Sequence, residues 1–392
     1  MKYINRHIAS KLNQLASQYP VVTITGPRQS GKTTLAKQIF SGKKYYNLED
    51  PVVRKFVQED PRGFFNSISA DGAIIDEIQR VPELTSYIQP IVDMNNVKGQ
   101  FILTGSHQFE LIEGISQSLA GRTGLLKLLP LSLIELQKDC DLESTYYYLY
   151  NGFYPRIYQD NLNPTDYYGM YLETYIERDL RNAINISNLG VFERFIRLLA
   201  GRSGSILNSS SLSNDTGVSV TTIRHWISVL EASYIIFLLQ PFYNNISKRL
   251  IKNPKIYFYD VGLATFLNGI ENQSQLVNHP LTGSLFENMI VTELLKARFN
   301  EGRRSNLTFY RDSTGNEVDV TAEEADCIKA YEIKLSQTPN ADFIKGINSF
   351  KKAYNEKNVI GSVIYGGSEF LKLKDITFNS WKNISDFVSH SL

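Results

Sequence analysis

Val21-Val22-Thr23-Ile24-Thr25-Gly26-Pro27-Arg28-Gln29-Ser30-Gly31-Lys32-Thr33-Thr34 reads as a strand, a loop and the start of a helix that runs on to Phe40. The loop has the form G-x-x-x-x-G-K-[ST] in the setting that pattern requires. Backbone N–H groups of such a loop, and of the helix that follows, converge on phosphate oxygens. Gly26 and Gly31 allow the turn and the close backbone approach. Residues Gly26 to Thr34 are therefore the expected nucleotide cradle. Lys32 is expected on the β- and γ-phosphates of ATP, and the Thr33 hydroxyl on Mg2+.

Two later strands complete this reading. Gly72-Ala73-Ile74-Ile75-Asp76-Glu77-Ile78-Gln79 is an apolar run ending in Asp-Glu. Downstream of a phosphate loop this is a Walker B strand. Asp76 would hold Mg2+ directly or through water, and Glu77 would orient or deprotonate the attacking water. Phe101-Ile102-Leu103-Thr104-Gly105-Ser106 ends in small polar residues. Additional-strand P-loop ATPases keep a γ-phosphate sensor at this place; Ser106 is the first choice and Thr104 the second. Arg122 closes the run Ser118-Leu119-Ala120-Gly121-Arg122. It is either an arginine finger, in its own subunit or across a subunit boundary, or a solvated structural arginine. Residues 4–19 carry Ile4, Ile8, Leu12 and Leu15 at nearly helical spacing, Lys44–Leu48 is a second strand, and Leu129-Pro130-Leu131-Ser132 reads as the last strand and turn. The ATPase domain is expected over residues 1–160.

Bulk properties bound the rest. A chain of 392 residues suggests two or three domains. Net charge is +1, so any nucleic-acid surface must be a local patch. Cys140 and Cys327 match no metal spacing, which favours a reducing compartment. Met1 to Pro20 has no uninterrupted apolar run, and runs such as Ile235–Leu239 are too short to span a bilayer. The expectation is a soluble, cytoplasmic protein with no membrane partner.

The motifs at Gly26–Thr34, Ile74–Gln79, Phe101–Ser106 and Leu119–Arg122 resemble those of the AAA+-type ATPases of the AAA_14 and DUF4143 family. The resemblance continues through Tyr175-Ile176-Glu177-Arg178-Asp179, Pro254-Lys255-Ile256-Tyr257-Phe258-Tyr259-Asp260 and Val261-Gly262-Leu263, and covers most of the chain in order. It implies an α/β protein with an AAA+ core, a DUF4143 region at about 165–340, and an oligomeric ATPase. It says little about biological role.

Residues 161–250 read as a helical and winged-helix domain. Leu212 to Leu230 has the pattern of a helix-turn-helix, with Gly217 at the turn and Ser219 as N-cap. Ile223, Trp226, Ile227 and Leu230 form the stripe that the second helix buries. Tyr234 to Phe242 then looks like a hairpin arm. Thr221, Thr222, Arg224, His225 and Ser228 on the opposite face could enter a DNA groove, with Lys248, Arg249, Lys252 and Lys255 on phosphates. The competing reading is a protein-interaction module with a solvated basic face.

Residues 251–392 carry a helix around Leu285–Leu295, strands at Leu307–Arg311, Glu317–Thr321 and Ile328–Leu335, a helix at Ala341–Tyr354 and a strand at Val359–Tyr365. Glu287, Asp319, Glu332 and Lys334 form the E…D…ExK set of the PD-(D/E)xK, restriction-endonuclease-like fold. In such a site Asp319 and Glu332 bind Mg2+ at the scissile phosphate, and the lysine steadies the attacking water. The combined expectation is a Mg2+-dependent, homo-oligomeric ATPase that engages DNA, with cleavage by this set left open. The alternative is a nucleotide-gated switch or scaffold that holds a protein partner or an operator without cutting.

Overall fold

The computed structural model describes residues 4–106, 118–137, 142–174, 188–242, 253–355 and 357–384. Tyr175–Asp179, Cys140, Lys248, Arg249 and Lys252 lie outside them.

Helix α1 (Ala9–Gln18) leads into β1 (Val21–Thr25), whose five residues are all buried. A strand reads this way when helices cover both faces of a parallel sheet. The P-loop follows, then α2 (Lys32–Ile39), β2 (Lys44–Asn47), β3 (Ala73–Asp76), β4 (Phe101–Gly105) and β5 (Thr123–Lys127). All pairings are parallel, in the order β2-β3-β4-β1-β5. Strand β4 thus lies between the P-loop strand and the Walker B strand, as the additional-strand class requires. Ile8 and Leu12 pack with Val22, Ile24, Leu126 and Leu128 on one face of this sheet. Gly26 has φ +150, and a Cβ there would lie 2.0 Å from the Leu128 carbonyl oxygen, so only glycine lets the chain leave β1 here.

The last strand is Thr123–Lys127, not the Leu129–Ser132 stretch expected from the sequence. Pro130 has no N–H for a ladder. Leu128 to Ser132 is instead a buried connection out of the sheet.

Helix α3 (Leu189–Ala200) buries Phe192, Phe195, Ile196 and Leu199. Helices α4 (Ser209–Thr216) and α5 (Val220–Ala232) form the expected pair. Gly217 closes α4 at φ +75, and the Ser219 hydroxyl accepts from the Thr222 N–H to start α5. Ile223, Trp226, Ile227 and Leu230 are buried, with Trp226 against Phe192 and Phe195.

The expected wing departs from a free arm. Strand β6 (Ile236–Pro241) does pair antiparallel with β7 (Lys255–Phe258), but it also pairs in parallel with β8 (Leu307–Arg311). With β9 (Glu317–Glu323), β10 (Ile328–Lys334), β11 (Val359–Tyr365), β12 (Leu371–Leu373) and β13 (Ile376–Ser380) they make one eight-stranded sheet, ordered β12-β13-β11-β10-β9-β8-β6-β7. A boundary at residue 250 therefore falls inside a sheet. The physical reason is the run Ile236-Phe237-Leu238-Leu239, too apolar for a solvated arm. One hydrophobic core runs from Leu129 to Ile384 across the middle and carboxyl-terminal parts. No described helix is long and apolar enough to cross a membrane.

Helix α6 (Thr282–Asn300) crosses this core. Its Glu293 and Lys296 pair at 2.7 Å with side chains 2% exposed. Glu293 accepts from the Leu133 N–H at 2.8 Å, and Lys296 donates to the Leu131 carbonyl at 2.7 Å. The pair thus holds the connection leaving the ATPase sheet. Removing one partner of a buried pair strands the other charge, so Glu293→Ala is expected to cost about 3–5 kcal/mol. Asp342→Ala, which breaks an exposed pair with Lys345, is expected to cost under about 1 kcal/mol. Urea unfolding of both variants checks the contrast.

Candidate functional site

The P-loop and Walker B residues meet at the carboxyl ends of β1 and β3. The Thr33 hydroxyl donates to Asp76 at 3.0 Å from each carboxylate oxygen. Asp76 also accepts from the Tyr45 hydroxyl at 2.7 Å and from the Thr104 hydroxyl. Lys32 is buried and folds back, donating to the Gly26 carbonyl at 3.0 Å and the Pro27 carbonyl at 2.8 Å. Burial lowers its pKa, with Glu77 and Asp76 pulling the other way. The Ser30 hydroxyl is fully buried and has no hydrogen-bond partner among the described residues. A hydroxyl paired to a carboxylate, a buried ammonium resting on loop carbonyls and an unmatched loop hydroxyl fit a phosphate chain with Mg2+. Thr33 and Asp76 are the residues that would hold the ion.

Glu77 sits in the left-handed region at φ +56, a conformation that costs a non-glycine residue of order 1 kcal/mol or more. Its carboxylate accepts from Gln79 and, at 2.9 Å, from the Ser106 hydroxyl. Burial alone would raise its pKa. Lys32, Gln79, Ser106 and Arg28 outweigh burial and hold Glu77 below the usual carboxylate range. Both sensor candidates therefore face the Walker B carboxylates: Ser106 through Glu77, and Thr104 through Asp76 and the Glu77 N–H at 3.2 Å.

Three contacts at the P-loop went unseen in the sequence. Arg6 reaches the Ser30 carbonyl at 2.7 Å and the Leu129 carbonyl at 2.6 Å while pairing with Glu135 at 3.1 Å. The Tyr167 hydroxyl donates to the Gln29 side chain at 2.8 Å. The Tyr234 hydroxyl donates to Thr25, the residue before Gly26, at 2.8 Å. No local pattern marks these partners, which lie up to 209 residues apart.

The carboxyl-terminal set also comes together. The Asp319 carboxylate accepts from the Ile333 N–H at 2.8 Å and stands 3.3 Å from the Lys334 ammonium, which lies 2.6 Å from Glu332. Burial first, and Asp319 second, push the Glu332 carboxyl up to about 8. The same two causes raise Glu287. Lys255, read from the sequence as a phosphate contact, is instead buried among these carboxylates. Its Nζ is 3.2 Å from Glu287, 2.5 Å from Glu317 and 3.8 Å from Asp319, with the side chain 3% exposed. Burial alone would lower its pKa, but Tyr257, Glu287, Asp319 and Glu317 outweigh it and raise it well above the usual lysine range. Lys255 and Lys334 between them face oxygens of Glu287, Asp319 and Glu332, while the second oxygen of Glu332 is buried with no hydrogen-bond partner among the described residues. Among the described residues no cluster of three His, Cys, Asp or Glu side chains is placed to hold a metal. The set as built does not fit Mg2+.

Residues 18–137 match the family model of an AAA domain (AAA_14), and residues 282–384 match a domain of unknown function, DUF4143. The chain thus carries an AAA domain and a DUF4143 domain. Between the two, residues 142–274 match a further domain of unknown function, DUF8612. Two relatives, the uncharacterized proteins Rv2008c of Mycobacterium tuberculosis and Mb2031c of Mycobacterium bovis, are each 29% identical over 341 residues, which is 86% of this chain and 75% of each relative. Among solved structures, the Walker-type ATPase PABY2304 of Pyrococcus abyssi overlaps 68% of this chain and 96% of its own at 13% identity and a TM-score of 0.44. AMPPCP-bound DnaA from Aquifex aeolicus overlaps 57% of this chain and 85% of its own at 18% identity and a TM-score of 0.29. Scores this low assign no function.

Two further groups of residues named from the sequence take their places in this structure. Arg122 forms a bidentate pair with Asp93 at 2.6 and 2.8 Å. Its carbonyl accepts from the Val21 N–H, so it stands at the amino end of the sheet. The P-loop end of β5 is five residues on, roughly 16 Å along the strand. In this arrangement Arg122 cannot reach its own P-loop. On α5, Thr221, Arg224 and His225 are exposed, while Thr222 and Ser228 are half-buried and bond to Ser219 and the His225 carbonyl. Glu77→Gln keeps the size and the hydrogen bonds but removes the base. It is expected to leave ATP binding in place and to lower turnover by about 10²- to 10⁴-fold, as equilibrium binding and single-turnover assays would read.

Proposed function

We propose that this protein is a cytoplasmic, Mg2+-dependent ATP hydrolase that engages DNA through the exposed face of α5. The observation that carries the hydrolase reading is the convergence of Lys32, Thr33, Asp76 and Glu77 at one end of the parallel sheet. Lys32 leaves its loop carbonyls to meet the β- and γ-phosphates, and the Ser30 hydroxyl gains a phosphate oxygen as partner. Mg2+ on Thr33 and Asp76 would supply positive charge to those oxygens. Glu77, held by Gln79 and Ser106, orients the attacking water and takes its proton. Arg122 serves the site of a neighbouring copy, since its own lies at the far end of the sheet, which makes the working form a homo-oligomer. Lys32→Ala is expected to reduce ATP turnover about 100-fold or more; an unchanged rate overturns the hydrolase reading.

For DNA the supporting feature is the exposed row Thr221, Arg224 and His225 on a capped helix that follows a tight turn. Lys248 and Arg249 extend it in sequence. Arg224→Ala is expected to weaken duplex binding and to reduce the slope of log affinity against log salt by about 1, measured by fluorescence anisotropy across a salt series. An unchanged slope removes Arg224 from the interface. A second reading, a nucleotide-gated switch or scaffold that cuts nothing and holds an operator or a protein partner, is favoured by one observation, the Lys255 ammonium among the nuclease-like carboxylates.

A further inference from the structure

We propose that Lys255 is the resident cation of the Glu287–Glu317–Asp319 cluster, occupying the place of a divalent ion, so that the carboxyl-terminal body takes no metal there and cuts no phosphodiester. The inference rests on the nuclease-like reading of Glu287, Asp319, Glu332 and Lys334, and on neither ATP hydrolysis nor DNA binding.

Position comes first. In the E…D…ExK arrangement the ion sits among the helix glutamate and the strand carboxylates. The Lys255 ammonium bridges two of these groups, at 3.2 Å from Glu287 and 3.8 Å from Asp319, and adds Glu317 at 2.5 Å, while the second oxygen of Glu332 is buried with no hydrogen-bond partner among the described residues. The Tyr257 hydroxyl donates to the same Glu287 oxygen at 2.6 Å, so that oxygen already has two donors. On the other side Lys334 holds Glu332 and the second oxygen of Asp319. Arg311, 3.2 Å from the other oxygen of Glu317, completes the ring of charges.

Rigidity comes second. Lys255 opens β7, which is fastened on both sides. It pairs with Leu239 of β6 and bridges to Ile206. The next residue, Ile256, donates to the Ser205 carbonyl at 3.1 Å and accepts from the Gly204 N–H at 2.7 Å. Asn288, beside Glu287 on α6, clamps Phe258 of the same strand through its N–H at 2.7 Å and its carbonyl at 2.9 Å. The strand that carries the lysine and the helix that carries the glutamate are locked in register. Gly204 closes the space from outside, since a Cβ there would stand 3.3 Å from Glu287. Displacing the side chain would leave a buried ammonium without a partner.

The test is Mn2+ binding by the full-length, nucleotide-free protein, followed by electron paramagnetic resonance of the free ion. An Asp76→Asn background silences the P-loop. Asp76→Asn and Asp76→Asn/Asp319→Asn proteins are expected to give the same titration. Adding Lys255→Met to Asp76→Asn is expected to create one Mn2+ site that Asp319→Asn then removes. A site present with Lys255 in place and lost in Asp319→Asn overturns the proposal. So does Mn2+-dependent plasmid nicking by the wild-type protein that Asp319→Asn abolishes. A folded Lys255→Met protein that gains no site also overturns it, because the ammonium is then not what keeps the ion out. Should circular dichroism show that Lys255→Met does not fold, the first comparison decides alone. Failure of the hydrolase or DNA readings would appear in turnover and anisotropy and leave this titration unchanged.

Discussion

The structure depends on a buried ion pair, Glu293 with Lys296, one turn apart on helix α6. Taking two charges out of water is costly, and their mutual attraction repays it only with good geometry and further hydrogen bonds. Here the further bonds go to the Leu133 N–H and the Leu131 carbonyl, so the pair satisfies backbone groups on the chain that leaves the ATPase sheet. Burial nevertheless raises the Glu293 pKa. Replacing it with apolar residues would relieve the desolvation but release the connection.

A second buried pair repeats the logic at the P-loop. Arg6 and Glu135 are 129 residues apart and both almost fully buried. Burial would raise the Glu135 pKa, but Arg6 and the N–H groups of Ser132 and His7 more than offset it. The same arginine holds the Ser30 carbonyl of the P-loop. With Tyr167 on Gln29 and Tyr234 next to Gly26, the loop is held from three directions, two of them from beyond the ATPase sheet. A phosphate chain that pulls Lys32 off its carbonyls acts on a loop whose neighbours belong to the middle of the chain.

What could be read from the sequence follows from how local the signal is. The P-loop, the Walker B run and the α4–α5 pair each announce themselves within twenty residues, through glycine positions, caps and periodicity. Strands β8 to β11 of the carboxyl-terminal sheet were legible as strand-like runs and the acidic set from its order along them, whereas β7, β12 and β13 were not read. Lys255 was misread because its partners lie 32 to 64 residues away, and nothing in Lys255-Ile256-Tyr257-Phe258 says that the strand turns its first side chain inward. Strand β6 was misplaced because a hairpin looks the same in sequence whether it stands alone or joins a larger sheet. The last ATPase strand slipped because Leu129 to Ser132 is apolar yet makes no ladder.

The same helix carries Glu287 at one end and Lys296 near the other, about 13 Å apart at 1.5 Å per residue. One end closes the lysine cluster and the other grips the exit from the ATPase sheet. Stretches matched by three separate domain models, 18–137, 142–274 and 282–384, therefore meet in this chain on a single helix.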